Sequence, residues 1–137
     1  MFPNATFVQG DAARMRFENE TFDIVTESTM FVQIIDDVLS QSIANEMIRV
    51  TKANGYIILV DWRYSKPWDK SYKGLNMRRI KELFCVNSRT KIKGIFKGAI
   101  IPPIGRLISK RFPCLYFLLQ SLFPFLAGQI TCVLQKK

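Results

Sequence analysis

Apolar and polar positions fall into blocks with two different periods in the first half of the chain. Ala5 to Gln9 (Ala-Thr-Phe-Val-Gln) is a short β-type run stopped by Gly10-Asp11. A polar stretch from Arg14 to Thr21 follows, and Phe22-Asp23-Ile24-Val25 forms a second strand candidate with two β-branched residues. The period then changes. Val38, Leu39, Ile43, Met47 and Ile48 recur at the spacing of one helix face. Asp36 and Asp37 stand before them, where a carboxylate can accept from the free N–H groups of the first turn. The spacing predicts a helix running to about Lys52, with Asn54-Gly55 as a left-handed stop. Tyr56 to Val60 is apolar without alternation, as in a strand covered on both faces, and Asp61 marks its end.

The second half is less regular. Trp62, Tyr64, Trp68 and Tyr72 are interleaved with Arg63, Lys66, Lys70 and Lys73, which suits either a substrate lid or a loop whose rings cover the sheet edge. Leu75, Ile80, Leu83 and Phe84 predict a helix over roughly 74–85. Thr90 to Phe96 alternates as a strand weakened by Gly94. Pro102-Pro103 interrupts, short helices are expected near 104–109 and 115–123, and 129–135 reads as a closing strand. The order of strand, loop, strand, helix, strand is that of an α/β protein with a parallel sheet.

At 137 residues, 48% apolar and 23% charged, the chain is one domain with enough apolar content for a core. Its three cysteines, Cys85, Cys114 and Cys132, are odd in number and far apart, which speaks against a disulfide framework or a structural zinc site. Histidine is absent, so this chain supplies no His-dependent triad or His-based metal site. Met1-Phe2-Pro3-Asn4 shows neither the basic start nor the apolar run of a secretory leader, and a cytoplasmic chain is expected.

The net charge of +9 is unevenly placed. Residues 1–65 hold nine acidic and five basic side chains, and residues 66–137 hold two acidic and fifteen basic ones. A basic half suits a nucleic acid, a membrane surface, a phosphorylated substrate, an acidic segment of the same fold, or simply a solvated face. No RNA or DNA module frames the aromatic and basic cluster. Residues 112–135 carry no charge, a length that could span a bilayer, but Pro113, Gln120, Pro124, Gly128, Gln129 and Thr131 break the run. A core helix followed by a core strand is the expectation.

The segment Pro3 to Ala12, then Phe17, then Thr21 to Val25, resembles class I S-adenosylmethionine-dependent methyltransferases. So does Glu46 to Asp61, with its Arg49-Val50-Thr51-Lys52-Ala53-Asn54-Gly55 exit into an apolar strand. The likeness is to the small-molecule (type 11) group and covers residues 3–66 well and the closing strand loosely. It implies S-adenosylmethionine as cofactor and a small-molecule or lipid-like methyl acceptor. By this resemblance Asp11 accepts from the adenine amino group and Ala12 offers its backbone N–H to the ring. Thr26, Glu27 and Ser28 line the methionine end of the cofactor, and Phe31 packs beside it. Outside this resemblance Asp11 would read as a turn residue, Asp23 as structural, and Thr26 and Glu27 as ordinary strand-end polarity.

The family's Gly-x-Gly-x-Gly turn is missing: the seven glycines (10, 55, 74, 94, 98, 105, 128) nowhere form it. Nor does the acidic residue that holds the ribose hydroxyls lie in this chain. The family's spatial strand order is three, two, one, four, five, seven, six. The candidates at 22–26, 56–61, 90–97 and 129–135 take places four, five, six and seven, while 5–9 takes place three, two empty places away. The resemblance therefore implies a C-terminal part of a methyltransferase domain. Residues 1–61 would be its cofactor side, 62–128 a variable substrate cover and 129–137 the final strand and tail. The expected architecture is a partial Rossmann-like, three-layer sheet, mostly parallel with an antiparallel last strand and an unpaired edge at 22–26. Such a chain is expected to be inactive alone, to pair with a second copy or a complementing N-terminal segment, and to meet a lipid-linked or phosphorylated substrate at or near a membrane. The alternative is a non-catalytic interaction protein whose basic face binds membrane or nucleic acid.

Overall fold

A computed structural model describes residues 4–65, 69–100 and 125–137, together with 106, 122 and 123. Lys66, Trp68, Cys114 and most of the helices expected at 104–109 and 115–123 lie outside them. The elements are β1 (Phe22–Ser28), a single 3-10 turn (Phe31–Gln33), α1 (Asp37–Val50), β2 (Thr51–Trp62), α2 (Met77–Leu83), β3 (Thr90–Lys97) and β4 (Gln129–Lys136). The sheet order is β1-β2-β4-β3. β1 and β2 are parallel, and β4 runs antiparallel to both β2 and β3. The chain is thus α/β with a mixed open sheet, in the strand order that the resemblance implies.

Local chemistry sets the helix ends. Asp36 caps α1, its Oδ1 accepting from Val38 N at 2.8 Å and Leu39 N at 3.2 Å. Asn76 caps α2 by accepting from Arg79 N at 2.9 Å. Ile43, Ala44, Met47 and Ile48 of α1 and Ile80 and Leu83 of α2 bury against Ile57 and Leu59 of β2 and Ile130, Cys132 and Leu134 of β4. Both helices therefore cover one face, and a second helical layer is not among the described residues. The other face carries Tyr56, Ile58 and Val60 of β2, of which Tyr56 is exposed and the others half-buried.

Three expectations are corrected. Residues 5–9 form no strand: they are exposed, with Phe7 and Val8 bare, and no strand among the described residues lies beside them to take their N–H and C=O groups. β2 begins at Thr51 rather than Tyr56, since Thr51 already pairs with Phe22. Asn54 is left-handed (φ 63°), but it lies inside β2 where the register slips, not at the end of α1. Gly55 is required there: a Cβ would come within 2.9 Å of Asp23 O and Lys52 O. Cys85 and Cys132 are free thiols. Burial pushes the Cys132 thiol up to about 11, so it is inert at neutral pH. No helix among the described residues is long and apolar enough to cross a membrane, and no group of metal-ligating side chains occurs among them.

Candidate functional site

The carboxyl ends of the parallel strands β1 and β2 bring two acids together. Side chains alternate along a strand. Glu27 and Asp61 point to the helix-covered face with Leu59, while Thr26 and Ser28 share the other face with their register partners Ile58 and Val60. Glu27 is 7% exposed and Asp61 fully buried. Their oxygens hold the 3-10 turn that doubles back over the strand ends: Met30 N donates to Glu27 Oε2 at 3.2 Å and Val32 N to Asp61 Oδ2 at 2.9 Å. Trp62 N donates to Asp61 Oδ1 at 2.7 Å. The chain enters this turn through Thr29, which is left-handed (φ 58°) and whose N–H reaches Val60 O.

Glu27 Oε1 is buried without a hydrogen-bond partner among the described residues. Burial, followed by the nearby Asp61 charge, pushes the Glu27 carboxyl up to about 7, although the Met30 N–H favours the ionised form. Burial also raises Asp61 above its ordinary value, against the pull of the backbone N–H groups and Arg79. Among the described residues the pair thus holds one carboxylate oxygen, Glu27 Oε1, whose burial no hydrogen bond offsets.

Arg79 of α2 braces the same end of the sheet. Its guanidinium donates to Phe31 O, Lys73 O, Ile34 O and Ser40 Oγ, at 2.8 to 3.1 Å. Burial lowers its pKa, partly offset by Asp37 and Asp61. A cleft of about 440 Å3 opens beside it, lined by Asp37, Lys73, Asn76, Arg78 and Glu82 among others.

Asp11 and Ala12 sit on a separate segment. Asp11 is exposed, and its Oδ1 accepts from Ala13 N at 2.9 Å, the geometry of a turn. Ala12, Ala13 and Met15 pack on the core. α1 fastens this segment: Met15 N donates to Glu46 Oε2 at 2.8 Å, and Arg49 donates to Met15 O, Phe17 O and Asn19 Oδ1. A cleft of about 220 Å3 lined by Gly10, Asp11, Ala12, Met15 and Phe17 lies here.

The residues singled out by sequence thus fall into places of different kinds. Thr26, Glu27 and Ser28 share the end of β1 but divide between its faces. Asp11 and Ala12 line their own small cleft. Phe31 is fully buried in the core, edge-on to Phe84 at 5.7 Å between centroids. Sequence reasoning missed Asp61 and Arg79 as parts of the site. The signal for Asp61 was present, an acid closing an apolar strand. Arg79 had none, because its acceptors come from distant segments.

A family model described as a methyltransferase domain matches residues 1–112. No curated protein matches the chain. Among solved structures, the chain resembles a SAM-dependent methyltransferase from Methanosarcina mazei, with a TM-score of 0.59 at 14% identity over 93% of this chain and 65% of that one. It resembles the [4+2]-cyclase SpnF with a TM-score of 0.62 at 12% identity, over 95% of this chain and 55% of the other. The PH0226 protein from Pyrococcus horikoshii OT3 gives 0.63 at 15%, over 97% and 59%. Identities this low establish a shared fold, and the chain spans between about half and two thirds of the length of these proteins.

Proposed function

The chain belongs to the methyltransferase-domain family, and from that premise we propose that it contributes cofactor-side strand ends to a site for S-adenosylmethionine-dependent methyl transfer to a small-molecule or lipid-like acceptor. The observation that carries this reading is the buried pair Glu27 and Asp61 at the carboxyl ends of parallel strands, with Glu27 Oε1 unsatisfied. Ligands of open α/β sheets bind at that end. Two acids at these strand ends, one of them with an oxygen left unsatisfied among the described residues, favour a cationic group such as the sulfonium of the cofactor.

When bound, the cofactor supplies an electrophilic methyl on a sulfonium, and the protein's part in such a displacement is positioning and electrostatics. Glu27 and Asp61 favour positive charge at the strand ends. Thr26 and Ser28 offer hydroxyls from the other face of β1. Asp11 accepts from an exocyclic amine and Ala12 donates a backbone N–H beside it. With histidine absent, Glu27 is the group best placed to hold or release a proton near neutrality. Since no Gly-x-Gly-x-Gly turn occurs among the seven glycines, we take the chain to be inactive alone and to need a second polypeptide or copy to complete the site.

Calorimetric titration of S-adenosylhomocysteine into the folded chain tests this. Weak or undetectable binding that becomes saturable when a glycine-motif segment is supplied is the expected result. Saturable binding by a monomer alone would overturn the claim of an incomplete site. No binding even with that segment present would overturn the cofactor reading.

A further inference from the structure

The outer strand β3 stands apart from Glu27 and Asp61, with β4 between it and β2. Lys91, Lys93, Ile95, Phe96 and Lys97 are exposed along it, with Phe96 at 61%. None of the three lysines has a carboxylate at ion-pair distance among the described residues. A register slip between Ile92 and Gly94 turns the strand, and the Phe96 ring folds over the space that a Gly94 side chain would fill.

The ladder with β4 continues past the strand. Gly98 N donates to Gln129 O, Gly128 N donates to Ala99 O, and Ile100 bridges to Ala127. This places the turn before β4 at the end of the same edge. There Leu122 and Phe125 are each 61% exposed, and the Phe123 and Phe125 rings meet edge-on at 5.7 Å. Tyr64 fixes the turn by donating from its hydroxyl to Phe125 O at 2.6 Å.

Lysines alone on an edge strand would be explained by protection against sheet-to-sheet pairing. That does not account for the bare phenylalanines and leucine beside them. We propose that the β3 edge and the adjoining Leu122, Phe123 and Phe125 form a docking face for an anionic lipid bilayer. The lysines meet headgroup phosphates, and Phe96, Leu122 and Phe125 enter the interfacial zone. Charge complementarity favours this occupant: Lys91, Lys93 and Lys97 are exposed along the strand with no carboxylate at ion-pair distance among the described residues. A basic and apolar face is the composition of interfacial anchors. Single-stranded nucleic acid would prefer a run of stacking rings, and here the exposed phenylalanines are interrupted by the aliphatic Ile95 and Leu122.

The test is co-sedimentation of the chain with vesicles of phosphatidylcholine mixed with phosphatidylglycerol, beside vesicles of phosphatidylcholine alone. The chain is expected to sediment with the anionic vesicles only, and less at high salt. The K91E/K93E/K97E variant should lose more than about 100-fold in partitioning, since removing three lysines at about fivefold each near an anionic leaflet already gives that factor and the new carboxylates add repulsion. Phe96→Ser with Phe125→Ser should weaken it independently. If the charge-reversed chain does not fold by circular dichroism, K91Q/K93Q/K97Q is measured in its place, with a smaller loss in the same direction. Equal sedimentation with both vesicles, none with either, unchanged binding by the variants, or binding to a single-stranded RNA without binding to vesicles would overturn the proposal. The methyl-transfer reading does not enter this experiment and stands or falls apart from it.

Discussion

Glu27 is a carboxylate held where its charge is costly. Its folded-state pKa of about 7 lies above the ordinary 4.5, with burial the larger cause and Asp61 the second. Below pH 4.5 folded and unfolded chains both hold the proton, and Glu27 costs nothing. As pH rises from 4.5 to about 7 the unfolded chain releases it while the fold retains it, so stability falls. Above 7 the loss is complete and amounts to a few kcal/mol. Asp61, raised mainly by burial, acts in the same direction. Glu27→Gln removes the titrating group. Urea midpoints measured against pH should decline for the parent chain between 4.5 and 7 and run flatter for the variant. A parent curve that rises over that interval would contradict the burial of an unpaired acid. Glu27 was visible in the sequence as a polar residue ending a strand. Its burial was not, because that depends on the 3-10 turn folding back over it.

At the scale of elements, one side chain replaces what the short α2 lacks in length. Arg79 ties α2 to the turn at Phe31 and Ile34, to Lys73 before the helix and to Ser40 in α1. Lysine carries the charge but not the planar fork, so Arg79→Lys leaves several buried acceptors unpaired. It should cost about 3 kcal/mol, read as a lower urea midpoint with little change in helical circular dichroism. An unchanged midpoint would show that water serves those acceptors equally well. The elements themselves were largely legible. The period of Val38 to Ile48 with Asp36 before it located α1, and the alternation around Gly94 located β3 together with its irregularity. What failed were features set by neighbours. Thr51 joins β2 because Phe22 pairs with it, and 5–9 stays out of the sheet because no described strand stands beside it.

At the scale of the molecule, the sheet has two edges of opposite character. β3 ends it with three lysines and a register slip, both of which discourage a further strand. β1 ends it with Ile24 56% exposed and Asp23 already engaged by Lys52 at 2.9 Å. Among the described strands β1 has β2 as its one neighbour, so its outer N–H and C=O groups are a template for another strand. Association should therefore proceed through β1 and not through β3. Light scattering over a concentration series should show the chain forming higher species. Ile24→Lys should shift that onset to higher concentration, and Phe96→Lys should leave it in place. If Phe96→Lys abolished association while Ile24→Lys did not, the apolar rings of the β3 face, rather than the backbone of β1, would be the adhesive surface. A chain monomeric throughout would mean that the β1 edge is blunted without a partner, and a complementing strand would then have to displace whatever blunts it before the site at Glu27 and Asp61 could be completed.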